Sequence, residues 1–243
     1  MHQISERMTG KIVLIAGCDT SLGLPIIRFF LAADATVIAP AKSLHDIEKL
    51  KASVVDISSG SLITQVTELP DYDTGFDIGQ AIVERFGKID IGIAVFNGLP
   101  CNNQLTEVHI SDWQDMVDNE VTPFFVCARL ILHNMKASNG GLYISVCDSN
   151  LRQQNNFPPL SKIASSIKME MSRIFAIETK THNVRYYHLW VEHSNKIKES
   201  DTDNQETGVV RSEMIGSHIM KLYLSKCEKP DEVFQLFPDY TTS

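Results

Sequence analysis

Gly17 and Gly23 enclose the turn Gly17-Cys18-Asp19-Thr20-Ser21-Leu22-Gly23, which joins the apolar run Lys11–Ala16 to a segment of helical period starting at Leu22. Strand, glycine turn and helix start in that order suit phosphate binding. The glycines let the backbone tighten and approach, and the first-turn N–H groups of the helix face the anion. The second apolar run ends as Ala39-Pro40-Ala41-Lys42-Ser43, with no acidic side chain for a ribose 2′-hydroxyl, the feature that favours NAD. His188 and His193 have the right type for proton transfer, but a lone histidine near a strand end also reads as structural or solvated. No Ser-His-Asp signature, Walker loop or metal cluster stands beside these groups.

The elements that must position these residues follow from the pattern of apolar residues. Short apolar runs alternate with longer segments of helical period, the signature of repeated βαβ units around a parallel sheet. Strands are expected at Lys11–Ala16, Thr36–Ala39, Leu62–Glu68, Ile91–Phe96, Leu142–Ser145, Val184–Trp190 and Glu232–Phe237. Helices are expected at Leu22–Ala33, Leu44–Leu50, Phe76–Phe86, Asp112–His133, Lys162–Thr181 and Glu213–Ser225. Ser111 with Gln114 three residues on reads as a capping box for the fourth helix. The polar stretch Ser194–Gly208 reads as a loop, either a mobile substrate lid or an ordinary solvated connection. The fold class is therefore α/β, a doubly wound, Rossmann-like, mostly parallel seven-stranded sheet with helices on both faces.

A chain of 243 residues, 43% of them hydrophobic, fits one such domain over residues 1–243. It contains no apolar run of bilayer-spanning length and starts without the apolar core of a signal peptide, so no membrane is expected and the cytoplasm is the expected location. Cys18, Cys101, Cys127, Cys147 and Cys227 are odd in number and lack metal-ligand spacing, which favours reduced thiols and no metal site. The net charge of −8, without a basic stripe, argues against nucleic acid and leaves small molecules or proteins as partners.

Over nearly its whole length the chain resembles the classical short-chain dehydrogenase/reductase family. Gly17 and Gly23 match that family's TGxxxGxG pattern, with Ala16 in place of the threonine and Ser21 in place of the middle glycine. The resemblance implies cofactor contacts from Gly17, Asp19, Thr20, Ser21, Leu22 and Gly23. Glu68-Leu69 resembles the pair that contacts adenine after the third strand, and Asn97-Gly98 resembles the remnant of the NNAG motif after the fourth. In this register Ala41 stands at the acidic position of NAD binders and Lys42 at the basic position of many NADP binders. NADP is thus the implied cofactor and NAD the alternative. Asp19 would oppose a 2′-phosphate through like charge, and a solvated surface lysine is an equal reading of Lys42.

The resemblance also implies an Asn, Ser, Tyr and Lys arrangement, in which tyrosine moves the proton while nicotinamide carries the hydride. Lysine lowers the phenol pKa from about 10 and holds the ribose. Asn119 matches the asparagine, Cys147 stands at the serine, and Lys162 matches the lysine of YxxxK. Four residues before Lys162 stands Pro158, which has neither a side-chain proton nor a backbone N–H. Two readings follow from the resemblance. One is an NADP(H)-binding oxidoreductase acting on an unnamed small molecule, with carbonyl or alcohol chemistry weakened by Pro158. The other is a noncatalytic relative that senses nucleotide or serves as an oligomeric partner. A homodimer or homotetramer is implied in either case.

Overall fold

A computed structural model of the chain describes residues 7–17, 20, 22–66, 81, 84–96, 104–148, 158–191, 204–225 and 233–237. Strands β1 (Ile12–Ala16), β2 (Thr36–Ala41), β3 (Ser61–Val66), β4 (Ile91–Val95), β5 (Gly141–Asp148), β6 (Val184–Val191) and β7 (Phe234–Phe237) form one sheet in the order β3-β2-β1-β4-β5-β6-β7. Every neighbouring pair is parallel. The chain runs outward from β1 to β3 and returns to the far side of β1 at β4. The carboxyl ends of β1 and β4 therefore flank the switch point where such sheets bind ligands.

Alternation along each strand divides the core between the two faces of the sheet. Val13 and Ile15 of β1, Ile91, Ile93 and Val95 of β4, and Leu142, Ile144 and Val146 of β5 share one apolar layer. That layer is covered by α1 (Gly23–Ala32), α2 (Leu44–Ala52) and α6 (Asn204–Leu224). Helix α6 lies close on α1 because Gly216 has no side chain there: a Cβ would come within 2.5 Å of the Phe29 ring. The opposite face, with Leu14, Ala94, Tyr143 and Tyr186, is covered by α4 (Thr122–Ala137) and α5 (Pro159–Thr179). Residues that bury both faces explain why β1 and β4 read as unbroken apolar runs.

Several expected boundaries move. The long fourth helix starts earlier, as α3 (Ile110–Met116), and continues through a π-helical turn at Val117–Val121 into α4. Its N-cap is His109, with extended backbone and no side-chain cap, so Ser111 lies inside the first turn and the capping box does not form. Within Ser194–Gly208, the residues Asn204–Gly208 are helical and begin α6. Residues 194–203 lie outside the described residues. So do 76–80, 82 and 83 of the expected third helix, of which Ala81 and Glu84–Phe86 are helical.

Candidate functional site

At the carboxyl end of β1, Gly17 adopts φ +85°, and a Cβ there would sit 1.8 Å from the Val95 carbonyl oxygen at the end of β4. No residue with a side chain fits, so the turn is pressed against the neighbouring strand. The Thr20 hydroxyl donates to the Gly17 carbonyl at 2.8 Å and accepts the Gly23 N–H at 2.9 Å. Threonine thus ties both ends of the turn together. Leu22 is buried in the apolar layer under α1, and Gly23 opens the helix. The first turn of α1 carries no acidic side chain, and the positive end of a helix favours an anion. Lys42 is exposed directly after β2, and Ala41 before it is buried. Asp19, Ser21, Glu68, Leu69, Asn97 and Gly98 lie outside the described residues.

The expected substrate-side residues occupy three different settings. Asn119 sits in the π-turn, exposed, with its side-chain amide donating to the Asp115 carbonyl at 2.9 Å. The buried neighbour on that turn is Glu120. Cys147 is buried near the end of β5, paired in register with Trp190 of β6. Lys162 is half-buried in the first turn of α5, and its ammonium makes no ion pair with the described residues.

Pro158 is buried at the N-cap of α5 and Pro159 holds the first helical position, where the missing N–H costs nothing. The buried face of this helix carries Ser161, Ala164, Ser165, Lys168 and Ser172. Two pairs of residues four apart therefore look inward at its start, Leu160 with Ala164 and Ser161 with Ser165. Lys162 lies on the flank of that stripe.

Beneath this helix start lies a polar column that sequence reasoning missed. The Lys168 ammonium, 1% exposed, donates to the Phe96 carbonyl at 2.9 Å and pairs with the Glu120 carboxylate at 3.2 Å. One turn further down α5, Ser172 gives its proton to the Lys168 carbonyl and accepts from the Tyr186 phenol at 3.0 Å. His188 Nδ1 lies 3.1 Å from the same Ser172 oxygen and 2.7 Å from Ser145 Oγ. Burial, reinforced by the positive charge of Lys168, pushes the His188 pKa down to about 3, so the ring is neutral. Tyr143 is fully buried, its phenol has no hydrogen-bond partner among the described residues, and burial raises its pKa. The signal for this column was present in the sequence: Ser161, Ser165, Lys168 and Ser172 recur at helical spacing on a face that must meet a sheet.

Residues 11–187 match the short chain dehydrogenase family. The chain belongs to this family. Among short-chain dehydrogenases with curated descriptions, it is 27% identical over 135 residues to dehydrogenase/reductase SDR family member 11 of Gallus gallus, covering 55% of this chain and 52% of that one. It is 24% identical over 140 residues to the 3-oxoacyl-[acyl-carrier-protein] reductase FabG of Vibrio harveyi, covering 58% of this chain and 55% of the relative. The chain thus spans about half the length of these curated relatives. The solved structure of an alcohol dehydrogenase from the archaeon Thermococcus sibiricus, complexed with 5-hydroxy-NADP, superposes with a TM-score of 0.75 at 16% identity, over 95% of this chain and 99% of that one. At that identity the likeness shows the short-chain dehydrogenase fold. Among the described residues no helix is long and apolar enough to cross a membrane, and no cluster of three His, Cys, Asp or Glu side chains could hold a metal.

Proposed function

We propose that the protein binds NADP(H) at the switch point between β1 and β4 and is an oxidoreductase of small carbonyl or alcohol compounds. The observation that carries this reading is the Gly17–Gly23 turn. It is glycine-dependent by geometry, tied by Thr20, and set against a helix start free of acidic residues. Gly17, Thr20, Leu22 and Gly23 form the described part of the turn that would take the pyrophosphate, with Asp19 and Ser21 between them in sequence. Lys42, exposed at the end of β2, would meet a 2′-phosphate and so favours NADP over NAD. The 5-hydroxy-NADP bound to the Thermococcus sibiricus relative agrees with that preference.

A bound nicotinamide would supply the hydride. The chain would supply positioning: Lys162, on the flank of α5, would hold the ribose, with Asn119 and Cys147 toward the substrate. Proton transfer cannot come from Pro158. Titration with NADPH and NADH, followed by nucleotide fluorescence and the shift in melting temperature, tests the reading. Tighter binding of NADPH is expected, with the preference lost in Lys42→Ala; failure of both nucleotides to bind overturns it. Any reductase activity is expected to vanish in Lys162→Ala, and unchanged turnover would remove that residue from the site.

The proline at the helix start and the inward Ser161 and Ser165 favour a second reading, a nucleotide sensor or oligomeric partner without turnover. It predicts nucleotide affinity with no product from any carbonyl or alcohol panel. The exposed Phe125, Ile174 and Ile177 on α4 and α5 support a homodimer or homotetramer in either case. Sedimentation that shows a monomer would remove that part of the reading.

A further inference from the structure

Lys168 stands in the third turn of α5, on the face that meets the sheet. Helical side chains lean toward the N-terminus of their helix, so this one carries its ammonium toward the carboxyl ends of the strands. There it joins two segments remote in sequence. Its partners are the carbonyl of Phe96, the residue after β4, and the carboxylate of Glu120 in the π-turn. Both Lys168 and Glu120 are buried. An apolar pair of similar volume would hold a core together at least as well, since taking two charges out of water offsets much of their attraction. Fixing relative position is what such a pair adds.

The segments it fixes are the ones next to the candidate site. In the chain, Phe96 directly precedes Asn97-Gly98 and Glu120 directly follows Asn119, while Lys162 lies on the same helix as Lys168. One ammonium thus joins the helix of Lys162 to the strand end on the nucleotide side and to the turn that carries Asn119. We infer that Lys168, paired with Glu120, is a positioning residue that brackets the β4 end and the π-turn into the geometry used by nucleotide, an inference that rests on the nucleotide-binding reading above.

The test compares the full chain with Lys168→Arg, which keeps a donor to each partner, and with Lys168→Met combined with Glu120→Leu, which removes both charges together. Hydrogen exchange without ligand is expected to quicken by about tenfold in peptides covering residues 91–96 and 116–122 of the apolar double variant, and to stay unchanged in β6. NADPH affinity is expected to fall by about tenfold in that variant and to stay within about threefold in Lys168→Arg. Should that pair not fold, Lys168→Leu with Glu120→Met, an apolar pair of different shape, is read the same way. A folded double variant with unchanged exchange in both segments, or with full NADPH affinity, overturns the inference. If the unmodified protein binds neither NADPH nor NADH, the proposed function fails, and the exchange measurement still decides the bracket.

Discussion

A methyl group on Gly17 would meet the Val95 carbonyl oxygen on a backbone that already disfavours L side chains. Gly17→Ala is therefore expected to lower the unfolding free energy by about 2 kcal/mol or more, as urea denaturation would read. An alanine variant of full stability would mean that the turn can leave β4. His188 gives a second prediction. It is neutral when folded, with its pKa at about 3, while the unfolded chain takes up the proton near 6.5. The unfolded state binds more protons between those values, so stability rises with pH across that window. Between pH 7 and pH 5 this one group should remove about 2 kcal/mol, a slope that His188→Asn should flatten. An equally steep slope in the variant would place the acid sensitivity elsewhere. The glycine was legible in the sequence because its demand is local. The structural reading of the histidine was legible too, but its partners Ser145 and Ser172 were not, because a strand and a helix distant in the chain bring them to it.

Helix α5 shows how little of a helix start sequence spacing can give. Pro158 and Lys162 have the spacing of YxxxK, and the structure adds that Pro158 is a buried N-cap while Lys162 is half-buried beside the stripe packed on the sheet. Pro158→Tyr should therefore cost about 1–3 kcal/mol through overpacking of that cap, as urea denaturation would read. A tyrosine variant of full stability would show that the cap has room for the ring. The periodicity of the sequence pointed to one helix over Asp112–His133, where the structure has α3 and α4 with a π-turn between them. One extra residue per turn there changes which side chain looks inward, and it is Glu120 that is buried while Asn119 is exposed. Apolar patterning cannot register such a shift when the residues involved are polar.

For the whole molecule, Asp90 acts at the amino end of the sheet, opposite the candidate site. Its carboxylate accepts from the Ile12 N–H at 3.0 Å and the Tyr223 phenol at 2.9 Å, and pairs with Lys88 at 3.0 Å, so it ties β1, β4 and α6 together. Burial pushes its pKa up, but the hydrogen bonds from Ile12, Lys88 and Tyr223 outweigh this and hold it below the usual 3.8. The stability it gives is present above the unfolded value and is lost as pH falls through the folded one. Asp90→Asn should cost about 2 kcal/mol at neutral pH and flatten only the acid limb below about pH 4. A flattening near pH 6 instead would contradict that assignment. The parallel architecture itself was readable, because strands buried on both faces leave unbroken apolar runs. The buried pair of Lys168 and Glu120 has one more consequence at this scale. Dissolved ions cannot reach a pair sealed from solvent, whereas they do screen an exposed pair such as Arg173 with Glu170. Raising the ionic strength should thus loosen the pairs at the surface while leaving the internal bracket intact.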